Sequence, residues 1–294
     1  MDNQPRVVVA GVEDSRDAWA ALDWAAAEAA GRQRPLRLVH VLNVSAHRVR
    51  EAPQEELPGL QEAWRQRGQR LLEQATRKVA ERHPTVPVMS AIMIAPSVAA
   101  ALLAEAGDAE LIVVGARGSG GFPELLLGSV GGHLATHANR PVVVVRRQGT
   151  VSRGVVVGVD AGRTCASTLA FAFEEAALRG TGLTAIHAWD DIRLMPGGAE
   201  LSLPHGGAGQ ARQARQLLAA ALDEGGKTFP DVPVSGIVHR GGAAYALTSA
   251  SKGAELVVVG SRGRGGFTGL LLGSVSRTVL HQAACTVAVV RNSA

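Results

Sequence analysis

Short apolar runs alternate with longer amphipathic stretches along the whole chain. In the first half, the runs that predict strands are Arg6–Gly11, Leu36–Leu42, Val86–Ile94, Leu111–Gly115 and Val142–Arg146. The stretches with helical periodicity between them are Ala18–Gly31, Gln61–Arg82, Ser97–Gly107 and Ser129–Ala138. Strands that alternate with amphipathic helices are typical of βαβ crossovers. We therefore expect an α/β fold with a parallel, doubly wound sheet.

The second half of the chain repeats the segments of the first half in the same order. The stretch "VVVAGVEDS" at Val7–Ser15 resembles "VVVGVDAG" at Val155–Gly162. The stretch "GARGSGGFPELLLGSVGG", which begins at Gly115, returns as "GSRGRGGFTGLLLGSVSR" from Gly260. A repeat of this length is a whole domain rather than a solenoid unit. We predict two tandem domains, at residues 1–148 and 152–294.

Composition narrows the class of protein. Hydrophobic residues make up 46% of the chain and aromatic residues only 3%, which favours aliphatic cores around buried parallel strands. The formal net charge is +4, but no dense stripe of basic residues with interleaved aromatics predicts a nucleic-acid partner. We see no signal peptide, no apolar stretch long enough to span a bilayer and no CxxC motif, so we expect a soluble, cytoplasmic protein without membrane insertion.

The glycine-rich stretch offers a site for an anion. It follows a buried strand, and its glycines let backbone N–H groups approach a ligand where a helix N-terminus adds partial positive charge. We predict Ser129 and Ser274 as the N-caps of the helices that follow. The stretch is not a P-loop, because no Lys precedes either serine, and it is not G-x-G-x-x-G. Ligands of open α/β sheets bind at the carboxyl ends of strands, where the strand order reverses.

The spacing of these glycines resembles the nucleotide motif of the universal stress protein family, G-x2-G-x9-G-(S/T). The matching residues are Gly115, Gly118 and Gly128–Ser129 in the first half, and Gly260, Gly263 and Gly273–Ser274 in the second. The stretches "GVEDS" and "GVDAG" are similar to the family's opening G-V-D-G-S. The resemblance covers both halves and implies two flavodoxin-like (Rossmann-like) domains, each a five-stranded parallel sheet in the order 3-2-1-4-5.

The resemblance also implies a site for ATP or AMP, with or without magnesium, in each half. The acid after the first strand, Glu13 or Asp160, would contact the nucleoside, and the backbone of Val41 or Ala188 would line the adenine pocket. The motif residues would hold ribose and phosphates; they are Gly115, Gly118, Gly128, Ser129 and Val130, and Gly260, Gly263, Gly273, Ser274 and Val275. Arg117 and Arg262 fall between motif glycines and either meet phosphate or face solvent.

Two departures from the family pattern distinguish the first half. Glu13 is longer than the family's Asp, and Asp14 replaces a glycine and adds negative charge near the phosphates. The second half keeps the shorter acid at Asp160. We therefore predict that the second site binds nucleotide at least as tightly as the first.

Other polar residues receive structural interpretations. We expect His40 and His187 to lie near the pocket rim without acting as catalytic bases. His133 and His137, four residues apart, lack a third metal ligand, so we predict no metal site. Cys165 and Cys285 are predicted to be small buried residues.

The function predicted from these observations is an ATP-binding regulatory protein of the stress response rather than an enzyme. We expect a homodimer with a regulatory protein partner. Two alternatives stay open: a slow Mg-dependent ATPase or phosphotransferase, and an interaction module that works without nucleotide.

Overall fold

The computed structural model describes residues 6–43, 57–118, 127–147, 154–160, 165–189, 192–194, 200–202, 207–262 and 272–291. The chain divides into two compact units, Met1–Arg147 and Gln148–Ala294. Each unit alternates strands and helices, as the sequence predicts. None of the helices within the described ranges has the length and apolar composition needed to cross a membrane.

The first unit contains five strands and four helices in its described part. The strands are β1 (Val8–Gly11), β2 (Leu36–Asn43), β3 (Val88–Ala95), β4 (Leu111–Gly115) and β5 (Val142–Val145). The helices are α1 (Arg16–Gly31), α2 (Leu57–Arg82), α3 (Val98–Glu105) and α4 (Ser129–His137). Parallel pairing gives the order β3-β2-β1-β4-β5.

The second unit repeats this arrangement. Its strands are β6 (Val155–Gly158), β7 (Leu183–Trp189), β8 (Ile192–Leu194), β9 (Glu200–Ser202), β10 (Val234–Arg240), β11 (Leu256–Gly260) and β12 (Thr286–Val290). Its helices are α5 (Ala166–Leu178), α6 (Gly207–Thr228), α7 (Ala243–Ala250) and α8 (Ser274–Gln282). Parallel pairing gives the order β10-β7-β6-β11-β12. The short strands β8 and β9 form a separate antiparallel pair.

The central strands are buried along nearly their whole length, because helices cover both faces of a doubly wound sheet. In β4, Leu111 to Val114 are buried and only the terminal Gly115 is partly exposed. In β11 of the second unit, Leu256 to Val259 are buried in the same way. The apolar runs that form these central strands are therefore buried between helices, whereas β3 and β10, at the ends of the two strand orders, are more exposed. The carboxyl ends of the central strands, where glycine replaces the apolar residues, are left for the site.

Candidate functional site

A cavity of about 760 Å³ lies in the first unit at the carboxyl ends of β1, β2 and β4. Strand β1 lies between β2 and β4, so this is the point at which the strand order reverses and where ligands of open α/β sheets bind. The volume is within the range of small-molecule sites. The predicted site residues that line it are Glu13, Val41, Gly115, Gly118, Gly128, Ser129 and Val130.

The turn between β1 and α1 positions the acid of this site. Ser15 is the N-cap of α1, and its hydroxyl oxygen accepts a hydrogen bond from the Ala18 N–H at 3.2 Å. The same hydroxyl donates to Glu13 Oε1 at 3.0 Å. One short side chain therefore begins the helix and fixes the glutamate carboxylate at the cavity wall.

Gly115 and Gly118 have different reasons to be glycine. A Cβ on Gly115 would lie 2.7–2.8 Å from backbone atoms of Asp17 and Ala18, so the end of β4 packs directly on the first turn of α1. A Cβ on Gly118 would lie 2.7 Å from Glu13 Oε1, which is the far end of a flexible side chain. Gly115 thus serves the packing of the unit, whereas Gly118 makes room for the acid of the site.

The prediction that Ser129 and Ser274 are N-caps is wrong. The N-caps are Gly128 and Gly273, both in extended conformation and neither with a side-chain cap. The Gly128 N–H donates to the Ala116 carbonyl at 2.7 Å, which holds the glycine outside the helix. Ser129 is therefore the first helical residue of α4.

The start of α4 presents backbone N–H groups to the cavity. The first N–H groups of a helix have no carbonyl partner within it, and Ser129, Val130 and Gly131 all line the cavity. Because the helix end also carries partial positive charge, this wall suits an anion such as phosphate.

The part of the lining that β2 and α3 contribute is largely apolar. Val39, Val41, Leu42 and Leu102 belong to it, and such a surface suits a flat base. His40 also lines the cavity, as predicted for the pocket rim. Its Nδ1–H donates to the Val12 carbonyl at 2.8 Å, which joins β2 to the segment after β1.

Arg117 does not belong to the cavity lining. Its Nε donates to Asp17 Oδ2 at 3.1 Å, in the first turn of α1, and its side chain is half exposed. In this structure Arg117 therefore supports the contact between β4 and α1.

Sequence reasoning missed the contribution of α2 to the site. Five of its residues line the cavity; they are Trp64, Arg67, Arg70, Leu71 and Gln74. Four of them follow the spacing of one helix face. That spacing was the available signal, but the face mixes aromatic, charged and apolar residues and so has no apolar periodicity to detect.

The second unit repeats the framework of the site. The His187 Nδ1–H donates to the Val159 carbonyl at 2.8 Å, as His40 does to Val12. The Gly273 N–H donates to the Ser261 carbonyl at 2.7 Å, which matches the bond from Gly128 to Ala116. Two further backbone bonds at the strand ends also recur. The Val12 N–H donates to β2, as the Val159 N–H does to β7. The Ala116 N–H donates to β5, as the Ser261 N–H does to β12.

The predicted residues of the second site stand at corresponding positions. Asp160 follows the end of β6, Ala188 is the penultimate residue of β7, and Gly260 ends β11. Ser274 and Val275 open α8, and Arg262 is exposed two residues after β11. Gly263 lies outside the described residues.

The remaining candidates have structural roles. His133 and His137 stack on each other with ring centroids 4.1 Å apart. The described parts of the chain hold no group of three or more His, Cys, Asp or Glu side chains arranged for a metal ion. Cys165 and Cys285 are both buried.

Comparison with known proteins identifies relatives over the full chain. The family model described as "Universal stress protein family" matches twice, at residues 5–146 and 152–291. A universal stress protein of Mycobacterium tuberculosis (strain H37Rv) is 36% identical, over 97% of this chain and 96% of its own. One from Mycolicibacterium smegmatis is also 36% identical, with the same coverage of both chains.

Solved structures show the same fold. The crystal structure of a universal stress protein from Archaeoglobus fulgidus superposes with a TM-score of 0.70 at 16% identity, covering 99% of this chain and 100% of that one. A protein of unknown function from Pseudomonas aeruginosa gives a TM-score of 0.66 at 19% identity, covering 98% of this chain and 93% of that one. The predicted α/β fold with two flavodoxin-like halves is confirmed.

Proposed function

Because this chain belongs to the universal stress protein family, we propose that it is a regulatory protein of the stress response that binds an adenine nucleotide, ATP or AMP, in each unit. The observation that carries the proposal is the cavity at the carboxyl ends of β1, β2 and β4. Residues predicted from the spacing of the glycine motif line it together with the acid after β1.

Each wall of the cavity suits one part of a nucleotide. The Glu13 carboxylate is an acceptor for ribose hydroxyls. Val39, Val41 and Leu102 offer an apolar surface to the base. The N–H groups at the start of α4 suit the phosphates.

Mass spectrometry of the small molecule released by denaturing the purified protein tests this function directly. We expect ATP or AMP at up to two equivalents per chain. If gently purified protein releases no nucleotide and binds none in titration, the proposal is overturned in favour of an interaction module that works without nucleotide.

The substitution Glu13→Gln tests the role of the acid in the first unit. An amide of nearly the same size keeps the contact with Ser15 but loses the charge. Because hydrogen bonds to charged groups contribute about 1.5–3 kcal/mol, we expect the affinity of the first site to fall about tenfold or more by calorimetric titration. Glu81→Gln, on the exposed part of α2, is the matched control and should bind like the wild type. Unchanged affinity in Glu13→Gln would remove this carboxylate from the site.

We also propose that the bound nucleotide acts as a regulatory ligand and is not turned over. By stabilising the conformation that binds it, a ligand shifts a population as far as its differential affinity allows. An ADP-release assay on the purified protein with Mg²⁺ separates this role from a slow ATPase or phosphotransferase, since turnover well above background would favour the enzyme. The homodimer, the regulatory protein partner and the cytoplasmic location stay predictions.

A further inference from the structure

The full positive charges in the described cavity lining come from helix α2 and not from the glycine motif. Arg67 and Arg70 are the two arginines of that lining, and it contains no lysine. They are three residues apart and so lie on one side of the helix. Arg117, the arginine within the motif, pairs with Asp17 outside the lining.

Arg67 is held over the cavity by an ion pair that a ligand could replace. Its Nη2 lies 3.4 Å from Asp14 Oδ2, and the two side chains are 75% and 64% exposed. Exposed ion pairs contribute little free energy, so a phosphate oxygen can take the place of Asp14 at small cost. A planar guanidinium also binds phosphate with two parallel hydrogen bonds. Asp14 therefore positions Arg67 at the cavity.

Helix α2 is fixed close to the cavity by its packing on β2. Gly68 is buried, and a Cβ there would lie 2.8 Å from His40 Cδ2. Since His40 is itself bonded to the Val12 carbonyl, the helix contacts the same strand end that forms the cavity wall. The neighbouring Arg67 and Arg70 are thereby placed at the cavity by a rigid element.

The second unit lacks these arginines at the matching positions. When Leu71–Leu72 of α2 is aligned with Leu217–Leu218 of α6, Leu72 and Leu218 are equally buried, at 2% and 3% exposure. Gly68 then matches the buried Ala214. In the same alignment Arg67 matches Gln213, and Arg70 matches Gln216. The chain therefore contains an internal comparison: at these two helix positions the first unit has arginines and the second has glutamines.

We propose that Arg67 and Arg70 bind the terminal phosphates of the nucleotide in the first unit, so that this site discriminates nucleotides by their number of phosphates more strongly than the second site does. The inference rests on the proposed function. It assigns to α2, rather than to the glycine motif, the choice between a short and a long phosphate chain.

The test compares adenosine, AMP and ATP on the full chain. Trp64 lines this cavity, so its fluorescence reports on the first site. Binding to that site is measured as the part of the tryptophan fluorescence change that is lost in Trp64→Phe. In the double variant Arg67→Gln with Arg70→Gln, we expect ATP affinity to fall at least about tenfold while adenosine affinity stays within about twofold. Arg65→Gln, an exposed arginine of the same helix outside the described lining, should change neither.

The substitution Asp14→Asn supplies the opposite change. Removing the partner of Arg67 should tighten ATP binding severalfold and leave adenosine binding unchanged. This gain should be smaller when Arg67→Gln is also present, as expected for two residues that interact directly.

The outcomes separate this inference from the function on which it rests. If the wild type binds adenosine and ATP but the double arginine variant keeps the wild-type ratio of their affinities, the role of α2 is overturned and the nucleotide site stands. An equal loss for adenosine and ATP also overturns it, because it would indicate a general packing role. If the wild type binds neither ligand, both proposals fail.

Discussion

Two glycines of the motif, three positions apart, are subject to different steric constraints. At Gly115 the constraint is the backbone of α1, and at Gly118 it is the carboxylate of Glu13. A sequence motif records only that glycine is required. In the structure, Gly115 lies against backbone atoms of α1, whereas Gly118 lies against a side chain of the candidate site.

We predict that Gly115→Ala lowers stability, whereas Gly118→Ala lowers nucleotide affinity. Gly115→Ala forces a methyl group against the backbone of Asp17 and Ala18, so it should lower the free energy of unfolding by about 1–3 kcal/mol. Gly118→Ala displaces only the end of the Glu13 side chain, so stability should change by less than about 0.5 kcal/mol. Because that displacement moves the carboxylate of the site, nucleotide affinity should fall in Gly118→Ala.

Urea unfolding and nucleotide titration of both variants check this prediction. Comparable destabilisation by the two substitutions would contradict the assignment of Gly118 to the site. Binding measured on Gly115→Ala has to be corrected for its unfolded fraction, since a loss of binding there reports on the fold.

At the scale of elements, the position of α2 decides the shape of the site. The apolar runs predicted the buried strands β1, β4 and β5, because a strand buried on both faces has little choice of composition. The more exposed β3 was predicted from its β-branched and apolar residues. These patterns could not predict that Gly68 lies against His40, because a single glycine in a helix does not indicate which residue of another element packs on it. The same limit applies to the N-caps: the sequence offered Ser129, and the hydrogen bond from Gly128 to Ala116 placed the helix start one residue earlier.

Two glycines on α2 allow the packing at His40 to be tested. Alanine is favoured over glycine by about 1 kcal/mol in a helix interior. Gly68→Ala should nevertheless destabilise the protein by about 1–3 kcal/mol, because its methyl group meets the His40 ring. Gly59→Ala adds a methyl group with no neighbour within 4 Å and should be neutral or stabilising, by up to about 1 kcal/mol. If thermal or urea unfolding shows Gly68→Ala to be stabilising as well, α2 does not pack on β2 as described.

At the scale of the whole molecule, duplication preserved the hydrogen-bonded framework at the strand ends and changed several side chains around it. The hydrogen bonds that fix the strand ends recur in both units with nearly the same lengths. The side chains differ: Glu13 corresponds to Asp160, Ser15 to Gly162, and Arg67 to Gln213. Because the backbone bonds at the strand ends recur, we expect side chains such as these to account for differences in binding between the units.

The acids Glu13 and Asp160 give a physical basis for the prediction that the second site binds nucleotide at least as tightly as the first. The Glu13 carboxylate already accepts a hydrogen bond from Ser15 and lies against Gly118. Asp160 is one methylene shorter than Glu13 and so leaves more room for a ribose. We therefore expect Asp160→Ala to reduce affinity for AMP more than Glu13→Ala does, by about a hundredfold against about tenfold. AMP is the suitable ligand, because with a single phosphate the arginines of α2 contribute least.

Asp231→Ala, at an exposed position of the second unit, is the matched control in calorimetric titrations. An equal loss in the two variants, or a larger loss in Glu13→Ala, would show that the shorter acid does not confer tighter binding and would leave the cations of α2 as the main difference between the sites.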